Sequence, residues 1–217
     1  MNNDDIIVKT TAFVKDKLTG AEAGHDWWHI LRVWNASRLI AQTEHVDMLV
    51  VELGALLHDI ADAKFNNGDE EIGPKIAVEF LKGLAVDEQI IGRVELIIRH
   101  ISFKSNIGGQ QYFSPELAVV QDADRLDAIG AIGIARAFTY GGFKGRELYN
   151  PDIQPDLNMG KEAYKTNSAP TINHFYEKLL LLKDKMNTAT GKKLASKRHL
   201  FMEQYLQHFY EEWNGAV

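Results

Sequence analysis

Apolar residues recur at steps of three and four along nearly the whole chain, and no segment of any length alternates apolar with polar residues. Such spacing builds a helix with one buried face, whereas a half-buried strand needs a period of two. The pattern predicts helices over about 4–17, 26–43, 47–61, 72–84 and 87–100. Ser114-Pro115-Glu116 reads as a helix start, with a capping hydroxyl, a proline at the first helical position and an early carboxylate. That helix could run to Tyr140, although Gly130 and Gly133 disfavour an uninterrupted one. The last fifty residues read as two helices, 171–186 and 194–213, folded as a hairpin whose Leu179–Leu182 run is either core or a dimer face. The expected fold class is all-α. Segments 105–114 and 141–170 lack periodicity and are glycine- or proline-rich, as loops or active-site lids are. Tyr112, Phe113, Tyr140, Phe143 and Tyr149, in or beside these segments, are candidates either to stack on a base or to serve as ordinary packing.

Charge and composition narrow the function classes. Over 217 residues, 24 basic and 30 acidic side chains leave a net charge of −6. This balance, without a basic stripe, argues against nucleic acid and anionic membrane as partners. The chain has no cysteine, which excludes disulfides, zinc–thiolate sites and a cysteine nucleophile. The acidic start Met1-Asn2-Asn3-Asp4-Asp5 is unlike a signal peptide, and no apolar run approaches the roughly 20 residues of a membrane span. The sequence reads as a soluble, cytoplasmic protein.

Three segments carry unusual chemistry. In Leu56-Leu57-His58-Asp59-Ile60-Ala61-Asp62 an apolar helix ends in adjacent imidazole and carboxylate groups. Burying both is costly unless they are paired or hold a cation. Neutral imidazole beside carboxylate suits divalent Mn, Fe, Co, Ni or Zn. Taken alone, a His-Asp dipeptide is also ordinary helix-end chemistry. In Gly24-His25-Asp26-Trp27-Trp28-His29-Ile30-Leu31-Arg32-Val33 the two histidines are four apart and can share a helix face, with Asp26 as a cap. In Val119-Val120-Gln121-Asp122-Ala123-Asp124-Arg125-Leu126-Asp127 three acids interrupt an apolar helix, and Asp122 and Asp124 cannot point to one face. The plain alternative there is one acid buried with Arg125 and the others solvated.

Taken together, a lone His, a His-Asp pair and a later Asp resemble the HD-domain superfamily of metal-dependent phosphohydrolases. The matching residues are His29 in His29-Ile30-Leu31-Arg32-Val33, His58-Asp59 after an apolar helix, and Asp124 in Ala123-Asp124-Arg125-Leu126. His58 follows His29 by 29 residues, and Asp124 follows Asp59 by 65. From His25 to about Tyr149 the chain is similar to small bacterial stand-alone HD proteins, some of them nucleotide pyrophosphohydrolases. His100-Ile101-Ser102-Phe103 and residues 122–136 carry that likeness.

The resemblance implies an HD-domain helical bundle over 1–217. Its metal-binding core would be about 20–140, its long loop 141–170 and its C-terminal helical extension 171–217. It implies His29, His58, Asp59 and Asp124 as ligands of one divalent metal ion, with Mn first and Ni, Co, Fe, Zn or Mg as alternatives. Asp62 matches the position where related nucleotidases carry a catalytic acid, and His100 is a second candidate catalytic group. Lys64, Arg99, Lys104 and Arg125 are candidates for substrate phosphate, with His25 as a further substrate contact and Arg32 as a brace. Two-metal relatives insert two further histidines between the His-Asp pair and the last Asp, and only His100 lies in that interval, so one metal is expected. The implied activity is nucleoside triphosphate pyrophosphohydrolysis by a metal-activated water. Alternatives are a 5′-nucleotidase, another phosphomonoesterase or phosphodiesterase, a di-iron oxygenase and a non-catalytic HD module. The expected partners are a small-molecule nucleotide and a second copy in a homodimer.

Overall fold

The computed structural model describes residues 1–20, 26–61, 69, 71–101, 112–158 and 168–216, and no strand occurs among them. The helices are α1 (Asn3–Lys17), α2 (Trp27–Ala41), α3 (Met48–Leu57), α4 (Ile72–Gly83), α5 (Glu88–His100), α6 (Pro115–Asp127), α7 (Gly130–Phe143), α8 (Thr171–Glu177) and α9 (Ala189–Trp213), with a 3-10 segment at Leu179–Lys185. No helix among the described residues is long and apolar enough to cross a membrane. The chain divides into two compact units, Met1–Asp124 and Arg125–Val217.

In the N-terminal unit the core is α3, whose residues from Leu49 to Leu57 are all buried except Glu52. A helix apolar on every side must be wrapped by others. Gly54 lets α5 come close, because a Cβ there would meet Ile97 Cδ1 at 3.0 Å. The Trp34 indole of α2 donates to Glu52 Oε2 at 2.8 Å, and the Phe13 and Phe80 rings of α1 and α4 stack at 3.9 Å.

The direction of these helices decides where the chemistry gathers. Arg93 of α5 donates to Asp47 Oδ2 at 3.1 Å and to Glu116 Oε1 at 2.6 Å. Glu116 Oε1 also accepts the Asp47 N–H at 3.1 Å. This clamp joins the N-terminal cap of α3, the middle of α5 and the first turn of α6. Further along, Gly54 faces Ile97, and Gln121 Nε2 donates to the His100 carbonyl at 2.9 Å. The ties advance together, so α3, α5 and α6 run the same way and finish at one end. Helix α2 runs oppositely: Trp34 meets Glu52, while His29 in its first turn meets His58 beyond the end of α3.

Two expected helices are shorter than their periodicity suggests. The 47–61 helix stops at Leu57, where Ile60 N–H reaches back only to the Leu57 carbonyl, so His58 and Asp59 lie in the turn that ends it. The helix opened at Pro115 stops at Asp127. The Ala128 and Ile129 amides bond to Arg125 and Leu126 in a tightened last turn, and Gly130 then takes φ +75°. That left-handed conformation suits glycine and breaks the helix. Gly133 is required for a different reason, since a Cβ there would lie 2.2 Å from the Ala128 carbonyl oxygen.

In the C-terminal unit α7, α8, the 3-10 segment and α9 pack around Phe175, which is fully buried and tilted against Phe138 and stacked near Tyr205. The expected 171–186 helix is divided into α8 and the 3-10 segment, and α9 begins at Ala189, with Thr188 Oγ1 capping the Gly191 N–H at 2.9 Å. Leu179 and Leu182 are core, whereas Leu181 is half exposed.

Candidate metal centre

His29 owes its position to the start of α2. The Asp26 carboxylate accepts the His29 N–H at 2.9 Å, which caps the helix and sets the imidazole in the first turn. The His29 side chain is buried, at 3 % exposure. His58 stands at the C-cap of α3 and is equally buried, at 4 %. Its Nδ1 lies 2.8 Å from the Ala55 carbonyl. A carbonyl only accepts, so Nδ1 carries the proton and Nε2 is left with a lone pair. Backbone anchoring of this kind is what orients a metal-binding imidazole. Burial holds His58 below the usual histidine pKa, against the opposing pull of Asp124 and Asp59. The neutral ring is the form able to ligate.

The Nε2 atoms of His29 and His58 are 3.3 Å apart. Asp124 Oδ1 lies 3.6 Å from His29 Nε2 and 3.9 Å from His58 Nε2. Asp59, next in the turn, offers a carboxylate oxygen, so His29, His58 and Asp59 present ligand atoms all within 4.8 Å of one another. These residues fit a metal ion. Two imidazole nitrogens about 2.1 Å from a common ion, at octahedral or tetrahedral angles, stand roughly 3.0–3.4 Å apart. The observed separation falls in that range, and two nitrogens with carboxylate oxygens suit first-row divalent ions. Asp124 is the outward-facing member, its side chain 37 % exposed, while Asp122 is fully buried. The two acids therefore occupy different faces of α6, as their spacing requires.

The remaining candidates fall in several places. His25, Asp62, Lys64 and Lys104 lie outside the described residues. His100 closes α5 at the end of the bundle where α3 and α6 finish, and its ring is 5.5 Å from that of Tyr112. Arg99 holds Glu95 on its own helix and Glu71 ahead of α4, and these two carboxylates raise its pKa further. The Arg125 guanidinium donates to the Lys185 carbonyl, and the buried acid Asp127 takes Arg136 as partner. The clamp of Asp47, Arg93 and Glu116 and the bond from Gln121 to His100 escaped the sequence reading. A polar amide within Val119-Val120-Gln121 was the available signal for the second.

Comparison with known proteins places this geometry. The HD-domain family profile matches residues 27–129, a span that contains His29, His58, Asp59 and Asp124. YpgQ of Bacillus subtilis (strain 168), described as an uncharacterized protein, is 37% identical over 204 residues, covering 94% of this chain and 91% of its own. The crystal structure of an HD-superfamily hydrolase from Bacillus thuringiensis superposes with a TM-score of 0.79 at 43% identity, covering 98% of this chain and 99% of that one. A crystal structure of Bacillus subtilis YpgQ in complex with ADP superposes with a TM-score of 0.73 at 33% identity, covering 95% and 97% of the two chains. With the histidine–aspartate cluster, the helical bundle that presents it and relatives matched over nearly their full length, the chain belongs to the HD-domain superfamily of hydrolases.

Proposed function

We propose that this hydrolase is a metal-dependent nucleotide phosphohydrolase, and most specifically a nucleoside triphosphate pyrophosphohydrolase. The observation that carries the reading is the convergence of the His29 and His58 nitrogens with the Asp124 carboxylate inside 4 Å, beside Asp59. The proposed ligands of one divalent ion, Mn by preference, are His29, His58, Asp59 and Asp124. When bound, such an ion supplies Lewis-acid activation of a phosphoryl oxygen and of water. The ADP bound to the relative YpgQ supports a nucleotide as the ligand.

The chain's own groups then have distinct tasks. The fixed tautomer of His58 and the capped start of α2 hold both imidazoles before substrate arrives, so little reorganisation is needed. Asp62 is the proposed base that takes a proton from the attacking water. The water oxygen bonds to the α-phosphorus, the bond from that phosphorus to the bridging oxygen breaks, and pyrophosphate departs from the nucleoside monophosphate. His100 is the proposed donor of a proton to the departing oxygen. Lys64 and Lys104 are the proposed phosphate contacts, with His25 as a further substrate contact. Arg99 and Arg125 already have partners within the fold, which compete with any phosphate.

The test is to measure phosphate and pyrophosphate release from a nucleotide panel with added Mn, Mg, Co or Ni, comparing wild type with Asp59→Ala. Pyrophosphate release that needs the metal and is lost in Asp59→Ala is the expected result. Release of single phosphate from monophosphates would move the assignment to a 5′-nucleotidase. Absence of turnover with every metal, in protein that binds one ion per chain, would refute nucleotide hydrolysis and leave the metal centre standing.

A further inference from the structure

Gln121 is buried to 1 % exposure between Val120 and Asp122, both fully buried. An amide in such surroundings is costly unless its hydrogen bonds are made. Its Nε2 donates at 2.9 Å to the carbonyl of His100, the last residue of α5. Carbonyls in the last turn of a helix have no partner within the helix, so this bond supplies one across helices. Gln121 also sits three residues before Asp124 on α6, on nearly the same face. The bond therefore joins the residue that carries the His100 imidazole to the helix turn that precedes Asp124. Two turns earlier the Arg93 clamp joins the middle of α5 to the first turn of α6 and the N-terminal cap of α3. The Gln121 bond is a second tie between α5 and α6, made at the last residue of α5 and one turn before Asp124.

We propose that Gln121 is a positioning residue for catalysis, acting through its bond to the His100 carbonyl to hold the His100 imidazole at a fixed distance from the metal centre. This rests on the catalytic role given to His100 above. A displacement of about 1 Å is enough to cost a factor approaching 10² when it falls on a reacting group. Leu at this position keeps the volume and removes the donor.

The experiment is a double-mutant cycle in the metal-loaded enzyme, using Gln121→Leu, His100→Ala and both together, with kcat, KM and bound metal measured for each. Gln121→Leu should lower kcat roughly 10- to 100-fold, the range for losing a group that orients a site residue, with KM and metal content unchanged. In the His100→Ala background the same change should cost less than about twofold, because the two act as a unit. Equal losses in both backgrounds, or loss of metal in step with activity, would overturn the positioning role. An inert His100→Ala would overturn it together with the role of His100, while leaving metal-dependent hydrolysis intact. A crystal structure of Gln121→Leu reads the same proposal without any substrate: His100 should move relative to Asp124 by about 1 Å, and an unmoved His100 refutes it.

Discussion

Replacing Glu116 by alanine removes the carboxylate on which three helices of the N-terminal unit meet. Its side chain is 7 % exposed, and one oxygen accepts both Arg93 Nη2 at 2.6 Å and the Asp47 N–H at 3.1 Å. A hydrogen bond to a charged group contributes about 1.5–3 kcal/mol and a neutral donor left without its acceptor costs a further 1–3 kcal/mol. Arg93 is 39 % exposed and keeps Asp47 as a partner, so its share must be discounted for solvent screening. The net expectation is a loss of about 2–3 kcal/mol. For a domain of this size that lowers Tm by roughly 4–12 °C. Glu116→Gln retains an acceptor for the Asp47 N–H and should lose about half as much. Urea unfolding followed by tryptophan fluorescence is a suitable assay, since Trp27, Trp28 and Trp34 all lie in the N-terminal unit. The clamp lies at the N-terminal ends of α3 and α6 and the middle of α5, whereas the candidate metal centre lies beyond the C-terminal end of α3, so bound metal well below Tm should be unchanged. A Glu116→Ala protein within about 0.5 kcal/mol of wild type, the usual range for inconsequential surface changes, would refute the reasoning.

Other perturbations have equally definite signs. Ala85 occupies φ 54° just past α4, where the Ala85 and Val86 amides bond back to the Lys82 and Leu81 carbonyls. Glycine is the residue suited to that cap, so Ala85→Gly should stabilise by about 0.5–1 kcal/mol in denaturant unfolding, and a loss of stability would count against it. Gly133→Ala puts a methyl group 2.2 Å from the Ala128 oxygen and should destabilise by about 1–3 kcal/mol, again by denaturant unfolding. His174 is held to a pKa of about 3, by burial first and by Lys178 and Arg146 second. Its contribution to stability is complete above the unfolded value of 6.5 and fades as pH falls from 6.5 toward 3, because only the unfolded chain takes up the proton. Between pH 7 and pH 5 the protein should lose about 2 kcal/mol that His174→Leu does not lose, and parallel pH profiles of the two would sink the idea.

The clustering of the candidate site was legible in sequence because its parts carry local signals. His58 and Asp59 end a run of apolar residues, Asp26 precedes the helix that begins with Trp27, and Asp124 stands in a helix otherwise rich in core residues. Helix boundaries were less legible where the terminating bond is local geometry rather than composition. The turn after Leu57 depends on which carbonyl the Ile60 amide reaches, whereas the break before α7 was signalled by Gly130. The clamp of Glu116, Arg93 and Asp47 was hidden for another reason. Its members are 23 and 69 residues from Glu116, and charged residues at such separations look the same whether paired or solvated.

By itself the sequence determined the all-helical class and the residue types able to hold a divalent ion, because periodicity and side-chain chemistry act over a few residues. Tertiary structure alone decided that α2 opposes α3, that α3, α5 and α6 finish together, and hence that the His29 and His58 nitrogens stand 3.3 Å apart. It also decided that Asp122 and Asp127 of α6 are sealed in the core while Asp124 faces outward. Those outcomes follow from how whole helices pack, through contacts such as Gly54 against Ile97, and no local spacing encodes them.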